Sequence, residues 1–130
     1  MPSIVGTWKL AHATARDATG AGRPAPYGGK GIGRVTFTAE GRMMSVVCDG
    51  RRELPAGTRR EYSSYCGNYS YDCEKLVTRV DAALDPRRIG SDQVRGVRFE
   101  GENMVLIPAP RRAGGVEEHR GIIWERIAAE

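Results

Sequence analysis

No stretch of this 130-residue chain stays apolar for long. The longest run, Met104 to Ile107, falls far short of the roughly 20 residues that a membrane helix requires, so no membrane segment is expected. Met1 is not followed by a basic and then an apolar stretch of the export type, and the expectation is a soluble, cytoplasmic protein. Cysteine is scarce: Cys48, Cys66 and Cys73 are odd in number and form no C-x-x-C pair. That points away from a disulfide framework and towards a reduced compartment, with each thiol expected as a small buried hydrophobe. Histidine is scarcer still. His12 and His119 are the only two, which leaves no metal-ligand cluster and no Ser-His-Asp set, so neither a metal nor a cofactor is expected. His119 lies among Glu117, Glu118 and Arg120, at what reads as an exposed strand start. A convincing helical period is missing as well.

Charge is present in both signs. Twenty Lys and Arg against sixteen Asp and Glu give a net charge of +4, and seventeen of the twenty are arginine. A basic chain invites a nucleic-acid reading, which needs single-sign stripes interleaved with aromatic residues. The arginine pairs 51–52, 59–60, 87–88 and 111–112 fall instead beside Gly, Pro, Asp or Glu in expected turns. They read as solvated loop charges, and no nucleic-acid partner is expected.

What the chain has in abundance is alternation. Eight or nine short stretches of apolar and polar residues in turn, strung on tight turns, are the sequence image of a closed antiparallel barrel. The length suits one domain spanning residues 1–130. A first strand over about residues 4–14 puts Trp8, Leu10 and His12 on one face. Residues 19–33 are rich in glycine and proline and are expected as a mobile Ω-like loop or lid at the barrel mouth. Within it, residues 28–33 match neither phosphate-binding glycine motif, and a strand follows where a helix N-terminus would be needed. A hairpin joins residues 34–38, with Val35 and Phe37 sharing a face, to residues 42–48 through Ala39-Glu40-Gly41. Tyr65, Gly67, Tyr69 and Tyr71 then alternate onto one face, Gly67 marking a bend or a close approach. Leu76, Thr78 and Val80 point inward from residues 76–83, with Arg79 outside; Gln93, Arg95, Val97 and Phe99 share a face, as do Met104, Leu106 and Pro108. The last strand carries Arg120, Ile122, Trp124 and Arg126 together.

Gly6-Thr7-Trp8 on the first strand resembles the lipocalin G-x-W signature, and Trp124-Glu125-Arg126 looks like the closing strand whose arginine packs across that tryptophan. The ordered series GTWKL, EGRMMSV, YCGNY, a turn over residues 86–90 followed by QVR, and IIWER is similar to the small bacterial lipocalin-like domain family over roughly residues 4–127. The resemblance implies an all-β fold, a single antiparallel up-and-down barrel of about eight to ten strands. Trp8, Trp124 and Arg126 are then structural, closing the barrel floor. Thr78 stands where the family often has an inward histidine, and the connector after Cys48 looks short, so no histidine-dependent function is carried over.

A barrel of this size is either filled by side chains or holds one small ligand. The expected interior mixes an apolar wall with a few polar groups, the usual make-up of a small-molecule site. His12, Phe37, Tyr65, Tyr69, Gln93, Arg95 and Phe99 are the candidate ligand-binding residues. Arg95 needs an anionic partner, either Asp49 or Glu61 as an internal strut or a ligand carboxylate. His12 reads as a hydrogen-bonded barrel histidine or a ligand contact, and the tyrosines as packing or as donors. The leading expectation is a carrier or sensor for a small, largely hydrophobic ligand with an anionic or carbonyl group. The alternative is a cofactor-free isomerase, cyclase or lyase in which His12 or Tyr65 moves a proton and Arg95 stabilises an enolate-like charge. Apart from the ligand, a monomer or homodimer with no membrane partner is expected.

Overall fold

The computed structural model describes residues 3–129, and these form nine strands joined by turns and two short 3-10 segments. The strands are β1 (Gly6–Arg16), β2 (Gly31–Phe37), β3 (Arg42–Asp49), β4 (Tyr62–Tyr71), β5 (Lys75–Ala83), β6 (Asp92–Glu100), β7 (Asn103–Pro108), β8 (Arg111–Ala113) and β9 (Val116–Ala128). Each of β1 to β6 pairs antiparallel with the next, β7 pairs with β9, and β9 returns to β1. Eight strands therefore close on themselves, leaving no edge to be covered. The ninth, β8, is a short hairpin arm that pairs with the start of β9, Arg111 facing Glu118. That arm falls where the sequence suggested only a turn.

Strand alternation accounts for most of the interior. Leu76, Thr78 and Val80 are buried while Arg79 between them is exposed, and Val35 and Phe37 are buried from β2. Two departures have a local cause. On β1 the register shifts between Leu10, which faces Trp124, and His12, which faces Ile123. Ala11 is the extra residue of a β-bulge, so the inward face passes from Trp8 and Leu10 to Ala13 and Ala15, and His12 turns outward. On β4, a Cβ at Gly67 would lie 1.9 Å from the Arg79 carbonyl oxygen, so the close approach expected there is one with β5. The cysteines also differ from expectation. Cys48 and Cys66 are half-buried on the outer faces of β3 and β4, and Cys73 is half-buried in a turn.

One end of the barrel is plugged. Trp8 is fully buried and donates from its indole nitrogen to the Ile4 carbonyl at 3.0 Å. The Arg126 guanidinium lies 4.2 Å from the Trp8 ring centroid and donates to the carbonyls of Val5 and Ser3 at 2.5 and 2.6 Å. Phe37 meets Tyr69 edge-on at 5.2 Å, and Phe99 packs against Trp8 at 6.4 Å. Gly6, with φ +130°, permits this closure, because a Cβ there would stand 2.4 Å from the Ala128 carbonyl oxygen.

An up-and-down barrel sends alternate connections to opposite ends. Those over residues 17–30, 50–61, 84–91 and 109–115 share the end away from Trp8. All four arginine pairs of the sequence fall there. The connections at the plugged end, residues 38–41, 72–74 and 101–102, hold Glu40, Asp72, Glu74 and Glu102 and no Lys or Arg. The segment over residues 19–33 is more structured than expected, since Pro26 and Tyr27 are buried in a 3-10 turn over Pro26–Gly29 and β2 already begins at Gly31.

Candidate functional site

At the end away from Trp8 the barrel opens into a cavity of about 700 Å³, within the range usual for small-molecule sites. Its deep wall is apolar, built from Val47, Tyr65, Leu106, Ile122 and Trp124. Strand parity places these side chains, since each is an inward position of β3, β4, β7 or β9. Its mouth is cationic. Arg59, Arg60, Arg88, Arg95, Arg111 and Arg120 line it against a single lining carboxylate, Glu61.

These arginines divide into two groups. Arg120 donates to Glu61 at 2.7 Å and to Glu118 at 2.8 Å, and Arg111 reaches Glu118 at 3.1 Å. This quartet is internally neutral and holds the buried Glu118. Burial works against the charge of Arg120, but hydrogen bonds and attraction from Glu61 and Glu118 outweigh it and leave its pKa above the ordinary value. The other four, Arg59, Arg60, Arg88 and Arg95, have no carboxylate of the described residues within ion-pair distance. Arg60 is tied to the backbone carbonyls of Asp49, Arg51 and Arg52. Arg88 and Arg95 are half-buried and lie 5.5 and 6.0 Å from the centroid of the same Tyr65 ring.

Tyr27 closes the site from the β1–β2 connection. It is a buried non-glycine residue at φ +58°, a conformation that costs about 1 kcal/mol or more. Glu61 accepts its backbone N–H at 2.8 Å, and the Arg120 guanidinium sits 5.7 Å from its ring centroid, so the network that neutralises the quartet also secures this turn. Burial, reinforced by the Glu61 charge, pushes the Tyr27 phenol above its ordinary pKa.

Of the residues singled out from sequence, Tyr65 and Arg95 line the cavity. Gln93 does not line it but accepts a hydrogen bond from Arg95 at 3.2 Å. Phe37, Tyr69 and Phe99 belong to the plugged end, where the Tyr69 hydroxyl donates to the Thr38 carbonyl at 2.7 Å. His12 is on the outer face because of the Ala11 bulge and cannot meet Tyr65 or Arg95. Neither internal strut expected for Arg95 is formed, for Asp49 is taken by Arg51 at 2.7 Å and Glu61 by Arg120. Trp124, expected as purely structural, walls the cavity, and its buried indole N–H has no acceptor among the described residues.

Sequence reasoning missed Tyr27, Arg88 and Arg120 and treated the paired arginines as unconnected loop charges. The signal that finds Arg88 is the parity of the connections, which sends every arginine pair to one end.

Neither a curated protein nor a solved structure matches the chain. The family model of the lipocalin-like domain matches residues 5–127, nearly the whole chain. With the closed antiparallel barrel and its one-ended cavity, this match shows that the chain belongs to the lipocalin-like domain family.

Proposed function

We propose that residues 1–130 act as one domain that binds a small, largely hydrophobic ligand bearing an anionic or carbonyl group. The apolar body of the ligand lies against Val47, Leu106, Ile122 and Trp124, and its polar head meets Arg95 beside Tyr65. The observation that carries this reading is a half-buried guanidinium facing an apolar cavity with no carboxylate partner, since such a cation gains most from an anion that arrives with its own apolar body. Ligand binding inside a barrel is also in keeping with the lipocalin-like family. The outward placement of His12 gives proton-transfer chemistry no imidazole in the cavity, so the carrier reading is preferred to a cofactor-free isomerase or lyase.

Native mass spectrometry of the protein purified from its own host, beside Arg95→Ala, tests the proposal. A small mass that travels with the parent and is lost from the variant is expected. A parent that carries nothing and binds no small amphiphile when offered one overturns it.

A further inference from the structure

The proposed reading leaves the head group unspecified, and the charge at the mouth narrows it. We infer that the ligand is a phosphate monoester of an apolar alcohol, its phosphate held between Arg88 and Arg95 at the Tyr65 ring; this rests on the binding role proposed above.

Four arginines at the mouth remain after the Arg111, Arg120, Glu61 and Glu118 quartet has neutralised itself. A monocarboxylate compensates one of them, whereas a phosphate monoester brings roughly −1.5 to −2 at neutral pH and three acceptor oxygens. The donors suit such a head. Among the described residues Arg88 commits only Nη1, to the Ser63 hydroxyl at 3.3 Å, and Arg95 donates from Nη1 and Nη2 to the Val94 carbonyl and Gln93. Each guanidinium carries five N–H groups in a planar fork, so both retain donors for a second acceptor. Arg88 and Arg95 line the same cavity, half-buried and each within 6.0 Å of the Tyr65 ring centroid, so the two like charges repel and a dianion held by both reverses the sign of that interaction. Arg59 and Arg60 at the rim, and the basic connections around them, extend the attraction outward, while the acidic turns at the far end orient the molecule open end first towards an anion. The cavity wall behind the arginines is apolar, which distinguishes an esterified phosphate from the free ion.

Isothermal titration of octyl phosphate, octyl sulfate, octanol and inorganic phosphate separates these terms, because the sulfate matches the phosphate in oxygens but carries one charge. Octyl phosphate is expected to bind at least tenfold more tightly than octyl sulfate, with octanol weaker and inorganic phosphate weakest. Arg88→Gln and Arg95→Gln should each weaken octyl phosphate ten- to a hundredfold and change octanol less than about threefold. Arg87→Gln, which removes the same charge from the same turn outside the cavity, should change neither by more than about threefold. Equal affinity for phosphate and sulfate esters, or an equal loss in Arg87→Gln, overturns the inference while octanol binding preserves the proposed function. Inorganic phosphate binding as tightly as octyl phosphate overturns it too. Failure of all four probes in a parent of normal melting temperature overturns both readings. Melting curves of the variants separate a lost contact from a lost fold.

Discussion

The two ends of this barrel both bring arginine to an aromatic ring, and they use the pair oppositely. At the plugged end Arg126 lies 4.2 Å from the centroid of Trp8 and spends its donors on the carbonyls of Val5 and Ser3. The ring is buried and the cation is tied down. At the open end Arg88 and Arg95 stand 5.5 and 6.0 Å from the centroid of Tyr65, with donors to spare and a cavity beside them. Close packing and short hydrogen bonds to the carbonyls of Val5 and Ser3 make the first a brace. Looser stacking beside an open cavity suits the second to the head group proposed for the ligand. An arginine–aromatic pair in a barrel is therefore assigned by its distance from the ring and by what lies beside it.

Substitutions at the two ends should separate along that line. The largest effect is expected from Trp8→Ala, which empties the plug and should cost about 3–5 kcal/mol in urea unfolding. The folded fraction should bind the amphiphiles like the parent, and a selective loss of affinity in a variant that melts normally would contradict the division. Arg120→Ala strips Glu118 and Glu61 of a partner that is 12% exposed and should cost about 3 kcal/mol. It should also free the Tyr27 turn, read as faster amide exchange at Tyr27, whose N–H is held by Glu61. Arg126→Gln should lose about 1–2 kcal/mol without touching affinity. Arg95→Gln reverses that pattern, with stability within about 0.5 kcal/mol of the parent and octyl phosphate binding weakened about ten- to a hundredfold.

The smallest effect is a dependence on acid. Arg51 holds the Asp49 carboxylate below its ordinary pKa, through side-chain and backbone hydrogen bonds that outweigh burial. A carboxylate lowered in the folded state stabilises at neutral pH, and that contribution disappears as the pH falls through its folded value, below about 4. Asp49→Asn should be less stable than the parent at pH 7 and converge with it in acid. A gap that stays constant with pH would show that the pair contributes nothing through its charge.

Much of this molecule was legible as alternation, and the exceptions have identifiable causes. Leu76, Thr78 and Val80 face inward and Arg79 outward because β5 keeps its period through them. The inward positions of β7 and β9, with Met104, Leu106 and Trp124, follow in the same way. Tyr65 and Arg95 were readable as cavity neighbours for that reason. Tyr27 was not, because it lies between Pro26 and Gly28 in a turn with no period, and it is held by Glu61 and Arg120 from distant parts of the chain. Arg88 was hidden by its place in a turn after Pro86, where local sequence suggests solvent. Phe37 and Phe99 were correctly turned inward but at the wrong depth, since alternation specifies a face and says nothing of height along the barrel axis.

The bulge at Ala11 works like a frameshift. Upstream of it the even-numbered residues of β1 look into the barrel, and downstream the odd-numbered ones do. One unpaired residue thus decides whether an imidazole and a guanidinium, His12 and Arg16, belong to the lumen or to the solvent. Excising that one residue would leave His12 and Arg16 outside, because His12 would then follow Leu10 in unbroken alternation and keep its facing residue Ile123, whereas forcing Ala11 into the ladder would turn both inward.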